Sequence, residues 1–461
     1  MDSLFEDEEG TEGIYRLQGS LQKRLQKLYT ALIAAFSRHS KQSKAYRTQV
    51  CLSLCLSFVA AMQGMSLVLV RSDAIAEYEE MKKVFALVNY VRVDTLAVDL
   101  GVEYEFFYVL LAIVYAPIGI LAVNVGLLLS CKKKPHWLLV KAMSLLLTLI
   151  EQVLLLPMLI MMLSCIKYTY FSSSNSMFEY GNSQNVLRSD GLAFISLLTI
   201  PLLMGLLYIN SYFFYENVYA KRRKFVSAMR DSFAHRMDLL TRLGTALCYS
   251  VLSEMSQIWY RLGVLFLCAT MVFMYTARLP YYNAVINVGY ASRKVLIAWS
   301  VVAYFIGWST DSASCIVILI LFVSPVIVLL NYDRTVEKLR VVGRTPVDSL
   351  VTDYQVELKL RTMLEAWEAK ESPEATCTAI EQLFDFATRN FPKSPLLPIW
   401  EAQYYHYYKR NTALALLKLS KLHTSDNHFE AQFLANTLEA KLSALEVLPE
   451  RLYFRYLKLL E

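Results

Sequence analysis

The sequence predicts an all-α membrane protein: a polytopic helical membrane domain followed by a soluble, α-solenoid-like helical tail of tetratricopeptide or half-tetratricopeptide type. Three observations carry that prediction. About seven long apolar runs, separated by short charged loops, fill the chain up to residue 330. Hydrophobic residues make up 56% of the 461 residues, and the excess over a soluble domain is packed into blocks about long enough to cross a ~30 Å hydrocarbon core. No glycine follows Gly343, and beyond it apolar residues recur at helical spacing instead of in solid runs. The chain therefore divides into an acidic head with a basic amphipathic helix (1–49), a multi-span membrane domain (50–330), a linker (331–344) and a helical-repeat tail (345–461).

The head opens on Asp2, Glu6, Asp7, Glu8, Glu9 and Glu12 with no base among residues 1–13, a composition that favours disorder. Residues 14–50 reverse the balance, with eight bases and no acid. Leu17, Leu21, Leu25 and Leu28 share one helical face beside Lys23, Arg24 and Lys27. That stripe suits either an anionic leaflet or packing against the rest of the protein. Nothing before Val50 reads as a signal peptide, so the first apolar run is expected to act as an internal signal anchor.

Segment one is Val50 to Val70, and segment two is Phe106 to Ser130, stopped by Lys132, Lys133 and Lys134. Segments three and four are Ala142 to Ile166 and Gly191 to Tyr215. Segments five (Leu262 to Ala277) and six (Val295 to Trp308) are short, roughly 24 and 21 Å of helix. Segment seven is Ala313 to Leu330. Basic residues mark the cytosolic ends: the stretch 14–50, the lysine triplet, and Lys221, Arg222, Arg223, Lys224, Arg230, Arg236 and Arg242. The loop between segments one and two, with four bases against eight acids, and the loop 172–190 fall on the far side. Arg334, Lys338, Arg340 and Arg344 place the end of segment seven, and the tail, in the cytosol with the N-terminus. Seven full crossings contradict that. An even number of crossings is therefore expected, with one short segment re-entrant or buried among its neighbours.

In the tail, Ile380, Leu383, Phe384 and Ala387 mark one helical face. Leu396, Ile399, Trp400, Gln403, Tyr404 and Tyr407 mark another. Ser372-Pro373, Phe391 to Pro395, Ser425 to Asn427 and Pro449 are the breaks, with Ser372, Ser394 and Asp426 as N-caps. Helix pairs at this pitch are expected to stack as a solenoid. Tyr404, Tyr405, Tyr407, Tyr408 and Lys409 cannot all face one core. Tyr404, Tyr405, Tyr408 and Lys409 are therefore the candidate surface for a cytosolic protein partner.

No catalytic, cofactor or metal motif stands out. The eight cysteines form no C-x-x-C pair and are read as buried apolar residues, and the six histidines lack ligand spacing. The basic run 221–242 directly follows a span, so it reads as a positive-inside anchor with lipid contact, not as a nucleic-acid site. The sharpest intramembrane signal is Glu151-Gln152 in segment three, with Asn124 and Asn210 as candidate partners. A carboxylate at that depth costs a few kcal/mol and faces a bundle interior or a cavity. It serves either as a proton or cation ligand or as a polar contact between helices. Pro157, six residues after Glu151, is expected to kink that helix. Leu279 to Asn283 reads as a membrane-edge turn with aromatic anchors.

The order of parts resembles the Tiny macrocysts B/C-type membrane proteins of protists, in which a multi-span region precedes tetratricopeptide-like repeats. The residues carrying the resemblance are Met62-Gln63, Pro157, Cys165, Leu279-Pro280-Tyr281-Tyr282-Asn283 and Phe391-Pro392-Lys393-Ser394. The resemblance implies architecture, and it reads the chain as a short or truncated member. The expected function is a membrane scaffold or receptor-like protein, not an enzyme, whose cytosolic tail binds a protein partner in signalling while the spans sit in lipid. The alternative is a transporter or channel with its polar site around Glu151.

Overall fold

The computed structural model describes residues 46–69, 92–130, 137–170, 190–211, 233–252, 256–281, 283–310, 316, 318–368, 373–394 and 396–420, and single positions 435, 438 and 442. Several expectations lie outside these residues: the acidic head, the amphipathic stretch 16–35, most of the two outer loops, the lysine triplet, the basic run up to residue 232, Ser372 and Asp426. Among the described residues the protein is all-helical, without a strand. It falls into two compact units, Met1–Asp333 and Arg334–Glu461.

In the first unit, α1 is Tyr46–Leu69, α2 is Val93–Asp99 and α3 is Glu103–Ser130. Helices α4 (Trp137–Leu149) and α5 (Leu155–Tyr170) are joined through a π-turn at Ile150–Leu154. Pro157 has no N–H to offer the carbonyl of Val153, and the helix widens just ahead of it. Next come α6 (Asp190–Asn210), α7 (Phe233–Leu247, running into a π-turn at Cys248–Leu252), α8 (Gln257–Arg278) and α9 (Ala284–Ser309). A π-turn at Leu319–Val323 leads into α10 (Ser324–Arg344), which carries the chain into the second unit. The stretch read as a linker, 331–344, is helical throughout.

Among the described residues, five stretches are long and apolar enough to cross a membrane: Val50–Leu69, Tyr104–Leu127, Lys141–Lys167, Asp190–Asn210 and Ile258–Arg278. Helix α6 shows the matching side-chain polarity. Its buried face includes Ser196, Thr199 and Asn210, whereas Phe194, Leu197, Leu198, Leu202 and Ile209 are exposed. An apolar outside around a partly polar inside suits hydrocarbon as solvent, not water.

Segments five and six prove longer than their hydropathy implies. Helix α8 has 22 residues and α9 has 26, about 33 and 39 Å of helix. Arg261, Arg293 and Lys294 cut the apolar runs short, yet all three side chains are buried within the protein. Arg261 Nε donates to the Val68 carbonyl at 3.0 Å, and the Tyr260 hydroxyl donates to that of Leu67 at 2.7 Å. Together they tie α8 to the last described turn of α1. The second half of the basic run is also reassigned. Phe233–Leu247 is a helix whose His235, Arg236 and Arg242 are buried, because its polar stripe faces inward and Leu240 and Leu247 face out. Two cysteines depart from expectation as well: Cys51 and Cys55 are exposed on α1.

Helices α1 and α9 pack at close range. A Cβ on Gly64 would collide with the Ile297 side chain, and one on Gly289 would lie 2.7 Å from Leu54 Cδ2. The Ser57 hydroxyl donates to the Gly289 carbonyl at 3.2 Å in the same seam. Small residues bring the backbones together where lipid supplies little drive for association.

The second unit begins within α10 and continues through α11 (Asp353–Glu368), α12 (Pro373–Asn390), α13 (Leu397–Tyr407) and α14 (Thr412–Ser420). Each of α11 to α14 packs on the next. Val356, Leu360, Ile380, Leu383, Phe384 and Trp400 form its core, as the periodicity of α12 and α13 predicts. Lys359 Nζ donates to the carbonyls of Gly343 (2.6 Å) and Thr345 (2.7 Å), closing the end of α10. Ser394 does not cap α13, which starts after Leu396. Its hydroxyl instead donates to Asp353 Oδ2 at 2.8 Å, tying that connection back to α11.

Candidate functional site

The site forms where the π-turn at Ile150–Leu154 meets α7 and α9. The π-turn carries Glu151 and Gln152, both buried. Gln152 Nε2 donates to Glu151 Oε1 at 2.6 Å and to the Tyr290 hydroxyl at 2.8 Å. Across from them, His235 Nε2 lies 3.2 Å from Glu151 Oε1. The far side of the same imidazole, Nδ1, is 3.4 Å from the Tyr281 hydroxyl. Tyr281 stacks on Tyr290 with ring centres 4.8 Å apart. The contacts therefore close a loop through Glu151, His235, Tyr281, Tyr290 and Gln152.

Asp238, one turn past His235 in α7, is the second carboxylate and is fully buried. Three cations reach it: Arg242 at 3.0 Å, Arg293 at 2.5 Å and Lys294 at 2.5 Å. Arg242 Nη1 also donates to the backbone carbonyl of Glu151. Arg293 Nη1 reaches Gln152 Oε1 at 3.4 Å, and its guanidinium lies 4.8 Å above the Tyr290 ring. Through Arg242 and Arg293 the two carboxylates belong to one network. A buried charge of either sign costs several kcal/mol unless paired and hydrogen-bonded, so each group depends on the others.

A cavity of about 30 Å³ opens beside this network. Gln63, Gln152, Arg242, Thr245, Arg293 and Lys294 supply its polar wall.

The turn at Leu279–Asn283 positions part of the site. Leu279 takes a left-handed conformation (φ 44°) that ends α8. Asn283 Oδ1 accepts from Val285 N at 2.8 Å and so caps the start of α9. Asn287 holds Tyr281 from both sides, its Oδ1 accepting from Tyr281 N at 2.9 Å and its Nδ2 donating to Tyr281 O at 2.6 Å. Tyr281 is fully buried, so it is a member of the polar core and not the interfacial anchor that the turn composition predicts.

Of the residues singled out from sequence, Glu151 and Gln152 stand at the centre of the network. Asn124 and Asn210 are buried but do not line the cavity. Among the described residues, both polar atoms of the Asn124 amide, and Oδ1 of Asn210, have no hydrogen-bond partner. His235, Asp238, Arg242, Arg293 and Lys294 are not recognisable as site residues from hydropathy. The signal for the first three is present as a polar stripe at i, i+3, i+7 opposite Leu240 and Leu247.

In the tail, Tyr404 is buried and cannot be a contact surface. It packs against Phe384 at 5.6 Å and forms the floor under Tyr405 and Tyr408, at 5.4 and 6.1 Å. Those two are half-buried, and Lys409 is paired with Glu381 at 2.9 Å.

The comparisons with known proteins return no similar chain: no family model, no curated protein and no solved structure matches. The resemblance to the Tiny macrocysts B/C-type proteins thus rests on the short motifs quoted above alone.

Proposed function

We propose that the protein is a multi-pass membrane transporter or channel whose working site is the polar core around Glu151 and Asp238. The observation that carries this reading is the concentration of Glu151, Asp238, Arg242, Arg293 and Lys294 in one buried network beside a cavity. A protein that only anchored a tail in lipid would be more easily built with apolar or amide contacts between its helices. Charge at this depth is expensive and is characteristic of ion pathways. No residue set in the core is assigned a catalytic role.

The tail is proposed as a tetratricopeptide-like module that binds a protein partner in the cytosol. Support comes from the packing of each helix from α11 to α14 on the next, and from the partly exposed Tyr405 and Tyr408 beside the Glu381–Lys409 pair. On this reading the tail couples the membrane site to that partner. Adding α7, α9 and the helix through Ser324 to the five apolar stretches makes eight among the described residues, an even number that would put both termini on one side, and the basic residues Arg334 to Arg344 favour the cytosol for it.

The test is ion flux in sealed vesicles containing the full-length protein. Wild type is expected to dissipate an imposed ion gradient. Glu151→Gln keeps a hydrogen-bonding amide and is expected to fold but to lose flux. Wild-type vesicles that are no leakier than protein-free ones would overturn the transport reading and return the chain to the scaffold class.

A further inference from the structure

The charges in the polar core do not balance. Arg242, Arg293 and Lys294 share one carboxylate, that of Asp238. The second acid, Glu151, faces His235 and Gln152. If Glu151 and His235 hold one proton between them, their pair is neutral, and three cations stand against one carboxylate. If they hold none, three cations stand against two carboxylates. Among the described residues, and with all three cations protonated, positive charge is in excess either way. An uncompensated buried charge is strongly unfavourable, so a counter-ion at this position would be strongly stabilising.

Two further observations place that counter-ion. Arg293 is 2% exposed, and its Nε has no hydrogen-bond partner among the described residues. Arg242, Arg293 and Lys294 all stand on the wall of the same cavity, with Gln63 and Thr245 also lining it. At about 30 Å³ the cavity has room for roughly two waters, since one needs about 10–15 Å³ on this measure. That volume suits a small ion.

We propose that this cavity binds a small monovalent inorganic anion of the chloride or bromide class, held by Arg293, Lys294 and Arg242. The inference names the ion for the site proposed above and rests on that reading of the core.

The experiment uses the full-length protein in detergent, with chloride replaced by gluconate at constant ionic strength. The unfolding temperature is expected to rise saturably with chloride and with bromide but not with gluconate, because only a ligand of the folded state stabilises it. Crystals grown in bromide should show an anomalous peak beside Arg293. Gln63→Glu places a carboxylate on the cavity wall and is expected to weaken chloride binding by about tenfold or more. Equal unfolding temperatures in chloride and gluconate, with no bromide peak, would overturn the proposal. Unchanged chloride affinity in Gln63→Glu would also overturn it, and the wild-type titration decides the matter if that variant fails to fold. Chloride binding without flux would sink transport and leave the anion site standing. Cation flux without chloride binding would do the reverse.

Discussion

Arg293 Nη2 donates to Asp238 Oδ2 at 2.5 Å, joining two helices whose contributing residues lie 55 positions apart in the chain. The same carboxylate holds Arg242 from its own helix and Lys294 from the next residue of α9. Asp238 is therefore the common anchor of three buried cations, and Arg293 extends that anchor to Gln152.

Removing the anchor should be costly. Asp238→Ala leaves three cations with one fewer buried counter-charge, and breaking such a pair costs about 3–5 kcal/mol. The expected result is a large fall in unfolding temperature or loss of folded protein on size-exclusion chromatography. Adding Arg293→Met to Asp238→Ala should recover part of the loss. A strictly additive double-mutant cycle would show that the two side chains are not coupled.

A gentler change probes the aromatic side of the core. Tyr290→Phe keeps the ring stacked on Tyr281 but removes the hydroxyl that accepts from Gln152. The expected cost is about 1–3 kcal/mol, since a buried donor loses its partner. Thermal unfolding of the detergent-solubilised protein measures it, and an unchanged midpoint would remove Tyr290 from the network.

The seam between α1 and α9 has no room at Gly64. Gly64→Leu is expected to destabilise by about 1–3 kcal/mol through overpacking against Ile297. It should also fill part of the cavity, which Gly64 lines. Gly205 serves as the control, since a Cβ added there meets nothing within 4 Å. Gly205→Ala should be tolerated, and thermal unfolding of the two variants side by side makes the comparison.

The second unit has its own apolar core and should fold by itself. A fragment spanning 334–461 is expected to give a helical circular dichroism spectrum and a cooperative melt. Lys359→Met, which removes the donor to the Gly343 and Thr345 carbonyls, should lower its stability by roughly 1.5–3 kcal/mol. A fragment without a cooperative transition would show that the tail depends on the rest of the chain.

Orientation is open to a direct test. Protease added outside sealed vesicles of known sidedness should reach the N-terminal head and the tail from the same face. Digestion of the two from opposite faces would exclude an even number of crossings.

Much of the helical framework is legible in the sequence because hydropathy and period are local properties. Solid apolar runs announce α1, α3, α5 and α6, and the recurrence of Ile380, Leu383, Phe384 and Ala387 announces α12. Glu151 and Gln152 stand out for the same reason, as polar residues inside an apolar run. The partners of those two residues are decided only by tertiary structure. Hydropathy averages around a helix, so Arg293 and Lys294 shorten an apparent span although they point inward, and α7 looks like a solvated basic loop although its polar stripe is its buried face. Which face turns inward depends on neighbours far away in the chain: Asp238 waits on Arg293, Gln152 on Tyr290, and Arg242 on the Glu151 carbonyl, 91 residues apart. Those pairings exist only once the helices pack, because a buried charge is tolerable only where its counter-charge is brought to it.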